Sequence, residues 1–487
     1  MSMGFDLDSE TRRRLGYKLI DQIDAWFSSL PNRAVQLPAD ERTFGDLDNV
    51  LPEVGEDAER VLDEICREMV DKGFHVPSAN YFGLMNPTPT YIGVLAEALV
   101  AALNPQLATM ARSQLASKIE RETVRWIGER IFCPGGMPRS GVEFDGTFTS
   151  GGNEANFSAL ALALAAHFPS AIEDGVASIG ARPLVYASAE SHHSVDKSAG
   201  LLGIGRTAVR RVAVDERLRM RLDALEAAVK QDIAAGHKPF CVVATAGTTN
   251  SGAVDELPPL ADFCEKNGLW LHVDGAYGAA AAFSDKHRDL VRGLERADSV
   301  TIDPHKWLAM PFAAGVVVTR RPETLQRAFA VAAPYMPRAQ GARLADNCKI
   351  STQWSRRMNS LKLWLTLRVH GRQAYEEHFE RQLWLARGFA DWVRRSEHYE
   401  LALEPELAIV NFRVKGTANE EQAAANEAVV DAVTRDGSRW ISVTQAGGRS
   451  VIRMMVISYL TGEHNLRELQ EALVTAGNHI GSPARRS

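Results

Sequence analysis

The chain has 487 residues, of which 45% are hydrophobic and 24% charged, the make-up of a soluble globular protein with room for roughly two or three domains. A net charge of −6 disfavours nucleic acid or an anionic membrane as the main partner. No apolar run is long enough to span a bilayer, and the charged stretch Glu10–Arg14 is not followed by the apolar region of a secretory signal.

Residues 1–30 carry an amphipathic helix pattern, with Leu15, Leu19, Ile20, Ile23, Trp26, Phe27 and Leu30 at steps of three and four before Pro31. A second such helix is expected at about 56–72, with Val61, Leu62, Ile65, Met69 and Val70 on one face. Two amphipathic helices cannot bury their apolar faces on each other alone, so they are expected on the main body or on a partner subunit. A helical stretch at 92–132, broken near Asn104-Pro105, ends in Cys133-Pro134-Gly135-Gly136. Strands and helices then alternate, with strands at 146–149, 183–188, 209–214, 240–245, 269–273, 299–302 and 314–319. This alternation predicts an α/β domain with a mostly parallel sheet, whose ligands bind beyond the carboxyl ends of the strands. Helical segments at 360–370 and 374–395 lead to a smaller α/β module, with strands near 401–403, 408–414 and 451–457 and helices near 420–435 and 464–476. The expected division is a helical segment at 1–75, a large domain at 76–372 and a small domain at 373–487.

The chemistry-bearing residues cluster at predicted strand ends. The apolar run Leu269–Val273 delivers Asp274 to the top of a buried sheet, where an unpaired carboxylate is costly and calls for a cationic partner. Thirty-two residues on, the strand Val300–Ile302 is stopped by Pro304 and followed by Lys306 between His305 and Trp307. A desolvated lysine is a nucleophile toward aldehydes. Taken singly, Asp274 reads as a turn-capping aspartate and Lys306 as a surface lysine. On successive strands they read as the two fixed points of a pyridoxal-phosphate site, one for the ring nitrogen and one for the aldehyde.

Gly151 and Gly152, with Asn153, open a helix and allow backbone N–H groups to approach a phosphate. The same turn without a ligand is the plain alternative. Neither Gly-x-Gly-x-x-Gly nor a nucleotide-type phosphate loop is present in strand–helix context. His192 and His193 follow a strand end and offer an imidazole to stack on a ring; with Asp196 they could instead begin a metal site, though no third and fourth ligand stand at metal spacing. No metal is expected. Thr245 closes another strand and suits a cofactor lining. The five cysteines are scattered, with no Cys-x-x-Cys pair, which fits reduced thiols in a cytoplasmic protein.

The stretches Thr149–Asn156, Glu190–Ser194, Thr245–Thr249, His272–Tyr277, Asp303–Trp307 and Trp354–Trp364 resemble, in order and spacing, the pyridoxal-phosphate-dependent group II amino-acid decarboxylases, which include aromatic-L-amino-acid and glutamate decarboxylases. The resemblance extends over the whole chain. It implies a fold-type-I architecture, a homodimer with active sites at the subunit interface, and N-terminal helices docked on the partner. Lys306 would bond the cofactor aldehyde, Asp274 would keep the pyridine nitrogen protonated, His192 would stack on the ring and Ala276 would pack on its other face. Gly151, Gly152 and Asn153 would hold the phosphate, with Asp303 and His305 nearby. The family often carries Asn at the position of Asp303, and a negative charge near a phosphate is unfavourable.

Tyr335 matches the family's mobile-loop tyrosine, implicated in protonating Cα after CO₂ leaves; relatives with Phe there tend toward aldehyde formation. The substrate pocket is expected in Asn80–Pro89, with Tyr81, Phe82 and Pro87. It is apolar and aromatic, which favours an aromatic substrate, although a basic group for an acidic one could come from Arg112, Arg356 or the other subunit. Rival expectations are another pyridoxal-phosphate reaction, such as transamination, with Arg413 its sole arginine candidate on strand 409–414, and a non-catalytic binding homologue.

Overall fold

The computed structural model describes residues 5–42, 51–135, 142–331 and 345–480. Its helices are α1 (Ser9–Ser29), α2 (Ala58–Lys72), α3 (Tyr91–Leu103), α4 (Gln114–Phe132), α5 (Gly152–His167), α6 (Ser170–Asp174), α7 (Ser194–Leu201), α8 (Leu222–Ala234), α9 (Leu257–Asn267), α10 (Glu323–Phe329), α11 (Ser360–Arg395), α12 (Gln422–Thr434) and α13 (Glu463–Ile480). The strands are β1 (Asp145–Thr149), β2 (Pro183–Ser188), β3 (Val209–Val212), β4 (Lys238–Thr245), β5 (Trp270–Asp274), β6 (Ser299–Ile302), β7 (Gly315–Thr319), β8 (Tyr399–Leu401), β9 (Ile409–Val414), β10 (Ser442–Ala446) and β11 (Arg449–Met455).

The large sheet has seven strands in the order β1-β7-β6-β5-β4-β2-β3, and β7 alone runs against the rest. Strands β2, β5, β6 and β7 are buried along their whole length, as their continuous apolar runs require of a sheet covered on both faces. Register decides where the chemistry lies. Thr245 pairs with Asp274 and Asp274 with Thr301, so the ends of β4, β5 and β6 stand in one row. Thr149 and Ile302 pair with the adjacent β7 residues Gly315 and Val316, which brings the turn after β1 against the segment after β6.

The small sheet is antiparallel, in the order β10-β11-β9-β8. Its strand β10 was not expected from sequence; it forms a hairpin with β11 through Gly447-Gly448, both at positive φ (58° and 72°). The expected break after His370 is a kink: Gly371 takes φ 70° and ψ 175° within α11. The segment 78–88 lies against the four-stranded sheet and α13, with Phe82 N–H donating to Trp440 O, Met455 N–H to Phe82 O and Asn465 Nδ2 to Asn80 Oδ1. Helices α1 and α2 bury no residue, although Lys18 joins them through Glu59 and Asp63.

Candidate active site

A cleft of about 300 Å³ opens at the carboxyl ends of β1, β2, β4, β5 and β6. Asp274 enters it from β5, 5% exposed. Its Oδ2 accepts from Asn156 Nδ2 at 2.8 Å and its Oδ1 from the Ala276 backbone N–H at 3.2 Å, which fixes the plane of the carboxylate. Asn156 uses all of its hydrogen-bonding capacity: its amide also donates to Ser194 Oγ at 2.8 Å, and its Oδ1 accepts from Thr301 Oγ1 at 2.7 Å and from His272 Nε2 at 3.1 Å.

That last bond sets the tautomer of His272, whose Nδ1 then accepts from Ser299 Oγ at 2.9 Å, while Ser299 Oγ accepts from Trp270 Nε1 at 2.8 Å. A relay of oriented donors thus runs from Trp270 to Asp274. Burial lowers the His272 pKa to about 4, against the opposing pull of Asp274, so the ring is neutral. The sequence alone assigns no role to Asn156 or His272. Their signal was polar residues on otherwise apolar segments, and only the fold shows that they meet.

Lys306 follows β6. Its Nζ lies 3.1 Å from Asp303 Oδ2, and Asp303 is 2% exposed. Trp307 adjoins Lys306 in sequence but does not line the cleft. Instead Trp307 is a fully buried core residue, with its ring centroid 4.9 Å from Tyr277 and 4.7 Å from Phe379, and the neighbour of Lys306 Nζ is Asp303. His305 accepts the Ala314 N–H on Nδ1 at 3.0 Å, so its remaining proton sits on Nε2, 3.6 Å from Asp303 Oδ2. Burial lowers the pKa of His305 and that of His192.

Gly151, Gly152 and Asn153 line the cleft at the start of α5. A Cβ on Gly152 would come within 2.7 Å of Asp303 Oδ2, so glycine is required by the closeness of the two segments. Glu154 anchors this turn by accepting from Ser150 N–H at 2.7 Å and from Gln353 Nε2 at 2.8 Å. Thr245 and Ala276 also line the cleft; the Thr245 N–H donates to the buried Asp255 at 2.7 Å. His192 faces the cleft, whereas His193 points outward toward Asp196.

Tyr81, Phe82 and Pro87 are buried but do not line the cleft; from their segment Met85 does. Phe82 belongs to the main core, and Tyr81 stacks on Trp440 at 5.3 Å. Tyr335 lies outside the described residues. Arg356 is committed to Glu120 and to backbone, and Arg413 to Glu400 at 2.7 Å. The small-domain arginine beside the cleft is Arg453 of β11. It is 5% exposed and donates to the carbonyl of Thr249, a cleft residue, at 2.9 Å; its buried Nε has no hydrogen-bond partner among the described residues.

The donor set fits pyridoxal phosphate: an amine for an aldehyde, an orientated carboxylate for a ring nitrogen, and a glycine turn at a helix start for a phosphate. Residues 38–415 match the family model described as the pyridoxal-dependent decarboxylase conserved domain. The chain belongs to the pyridoxal-dependent decarboxylase family. It is 32% identical over 481 residues to an aromatic-L-amino-acid decarboxylase of Bacillus atrophaeus, covering 96% of each chain. It is 33% identical over 369 residues to the acidic amino acid decarboxylase GADL1 of Homo sapiens, covering 75% of this chain and 69% of the relative. Among solved structures, the TDC of Oryza sativa with PLP and tryptamine superposes with a TM-score of 0.91 at 25% identity, over 99% of this chain and all of that one. This decarboxylase is a carboxy-lyase of amino acids that uses pyridoxal 5′-phosphate, and its architecture is the fold-type-I one.

Proposed function

We propose that this enzyme decarboxylates an aromatic L-amino acid to the amine and CO₂. The observation that carries the reading is the lining of the cleft. Beyond the cofactor residues it offers Met85 and Tyr277 with the polar Ser150, Glu154, Asn156 and Thr249, and among the described lining residues Lys306 is the sole lysine and there is no arginine to meet a side-chain carboxylate. An acidic side chain would be left unpaired there. Arg112 does not line the cleft and Arg356 already holds Glu120. The likeness to an aromatic-L-amino-acid decarboxylase over nearly the full chain supports the same substrate class.

When bound, the cofactor supplies the sink for the electron pair released as CO₂ departs. Asp274, held by Asn156 and Ala276, keeps the proton on the ring nitrogen. Gly151, Gly152 and Asn153 would bind the phosphate through backbone N–H groups at the start of α5, with Asp303 and His305 beside it. His192 and Ala276 would cover the two ring faces, and Thr245 completes the lining. Lys306 would be the cofactor's point of attachment. Tyr335 would return a proton to Cα.

The apolar faces of α1 and α2, with Tyr17, Leu19, Ile20, Val61, Ile65 and Met69 exposed, support a homodimer in which these helices cover the partner. Sedimentation at twice the chain mass is the expected result. No helix among the described residues is long and apolar enough to cross a membrane, and all five cysteines are free, which suits the reducing cytoplasm.

A screen of CO₂ release over the common amino acids, L-DOPA and 5-hydroxytryptophan tests the substrate class. Release from aromatic substrates is expected, with Lys306→Ala abolishing both the release and the visible absorbance of the attached cofactor. Activity confined to glutamate or aspartate would overturn the aromatic reading.

A further inference from the structure

The glycine turn and the segment after β6 meet at a carboxylate that the cofactor roles above leave unexplained. Asp303 is 2% exposed, and its Oδ2 lies 3.1 Å from Lys306 Nζ. The same oxygen would stand 2.7 Å from a Cβ on Gly152, so the carboxylate abuts the turn that is to receive a phosphate. Its other oxygen, Oδ1, is buried without a hydrogen-bond partner among the described residues. Two difficulties coincide. A lysine held as an ammonium by a carboxylate has no lone pair with which to bond an aldehyde, and a buried carboxylate beside a phosphate is repelled by it.

We propose that Asp303 is the base that takes the ammonium proton of Lys306 when the cofactor is captured, and that it keeps this proton in the loaded enzyme. One transfer removes both difficulties. The proton passes from Nζ to Oδ2 over 3.1 Å, and the freed lone pair bonds the aldehyde carbon. The C=O bond breaks as C=N forms, and the oxygen leaves as water with the two protons that remained on Nζ. The third proton stays on Asp303, which then faces the phosphate uncharged. The charged and titratable groups around it are Lys306 and His305 from its own segment, His192 from the turn after β2 and Asp274 from β5. Glu154 of α5 lines the same cleft, and Lys362 of α11 acts on His305. Among these, Lys306 is the group that must lose a proton for the new bond to form.

The test rests on pyridoxal-phosphate binding at Lys306 and uses two ligands whose responses have opposite sign. Capture of pyridoxal 5′-phosphate by the cofactor-free protein is followed by absorbance in rapid mixing. Asp303→Asn is expected to slow it about tenfold or more near pH 7, with the deficit closing toward about pH 10, where solvent itself deprotonates lysine. Asp303→Glu, which keeps a base, should recover part of the rate. Pyridoxine 5′-phosphate has no aldehyde and moves no proton, so the wild type meets it with the charge in place. Asp303→Asn should therefore bind it several-fold more tightly.

Thermal unfolding of each apo variant reports folding, and Asp303→Ser is the second base-free variant if asparagine disturbs it. An unchanged capture rate, or both ligands shifting in the same direction, would overturn the proposal. A wild type that binds pyridoxine phosphate yet never bonds the aldehyde would refute the attachment at Lys306 itself.

Discussion

At the scale of single residues, the site depends on Asn156 more than its place in an alanine-rich helix implies. It is 1% exposed, and its amide joins Asp274, Ser194, Thr301 and His272. Asn156→Ala would leave buried polar atoms unsatisfied on several partners at once and release one oxygen of Asp274. Cofactor affinity is expected to fall about 10–100-fold, read by fluorescence titration of the apo protein. An affinity within about twofold of wild type would show that Ala276 alone orients Asp274. The motif residues Asp274 and Lys306 were legible because their neighbours are unusual: a carboxylate ending an apolar strand, and a lysine after a proline-stopped one. Asn156 and His272 were not, because their importance is a contact between segments 116 residues apart.

At the scale of elements, the long periodic helices and buried strands were legible to within a few residues, since periodicity reports which face is buried. Of the hairpin β10-β11, strand β11 matches the strand expected near 451–457, while β10 was missed. Its signal was Gly447-Gly448 between two short strand-like runs, but β10 is an edge strand with only Ala446 buried, so its apolar pattern is faint. The segment 80–89 was read as a pocket wall because it is apolar and aromatic. It is aromatic because it packs beside the four-stranded sheet, on Trp440. Tyr81 and Phe74 pack on Trp440, and a Cβ on Gly83 would fall 1.6 Å from that ring. Gly83→Ala must displace the indole and is expected to cost about 1–3 kcal/mol in urea unfolding. A change under about 0.5 kcal/mol would mean that the ring moves aside freely.

At the scale of the whole molecule, buried titratable groups set a dependence on pH. Burial is the main cause that lowers His75, His272 and His378 to about 4. In the unfolded chain an imidazole takes up its proton near pH 6.5, while the folded one stays neutral until about 4, so acid favours unfolding between those values. For His272, which is fully buried, this is on the order of 3 kcal/mol. Asp255, raised to about 6 by burial, acts the other way: the fold holds its proton where the unfolded chain has released it, so stability falls as pH rises from about 4 to 6. Three histidines outweigh one aspartate. Urea midpoints should therefore fall steadily from pH 7 to pH 4, and a flat or rising profile would contradict this account.

What the sequence determined by itself was the class of fold, the family and the residues placed at strand ends, because each follows from local periodicity and from motifs a few residues long. Only the tertiary structure decided which side chains touch. It turned Trp307 into the core, set Arg453 rather than Arg413 beside the cleft, and placed Asp303 between Lys306 and the glycine turn. Those outcomes depend on strand register and side-chain direction across segments far apart in the chain, where a shift of one residue reverses the face. No local pattern records them.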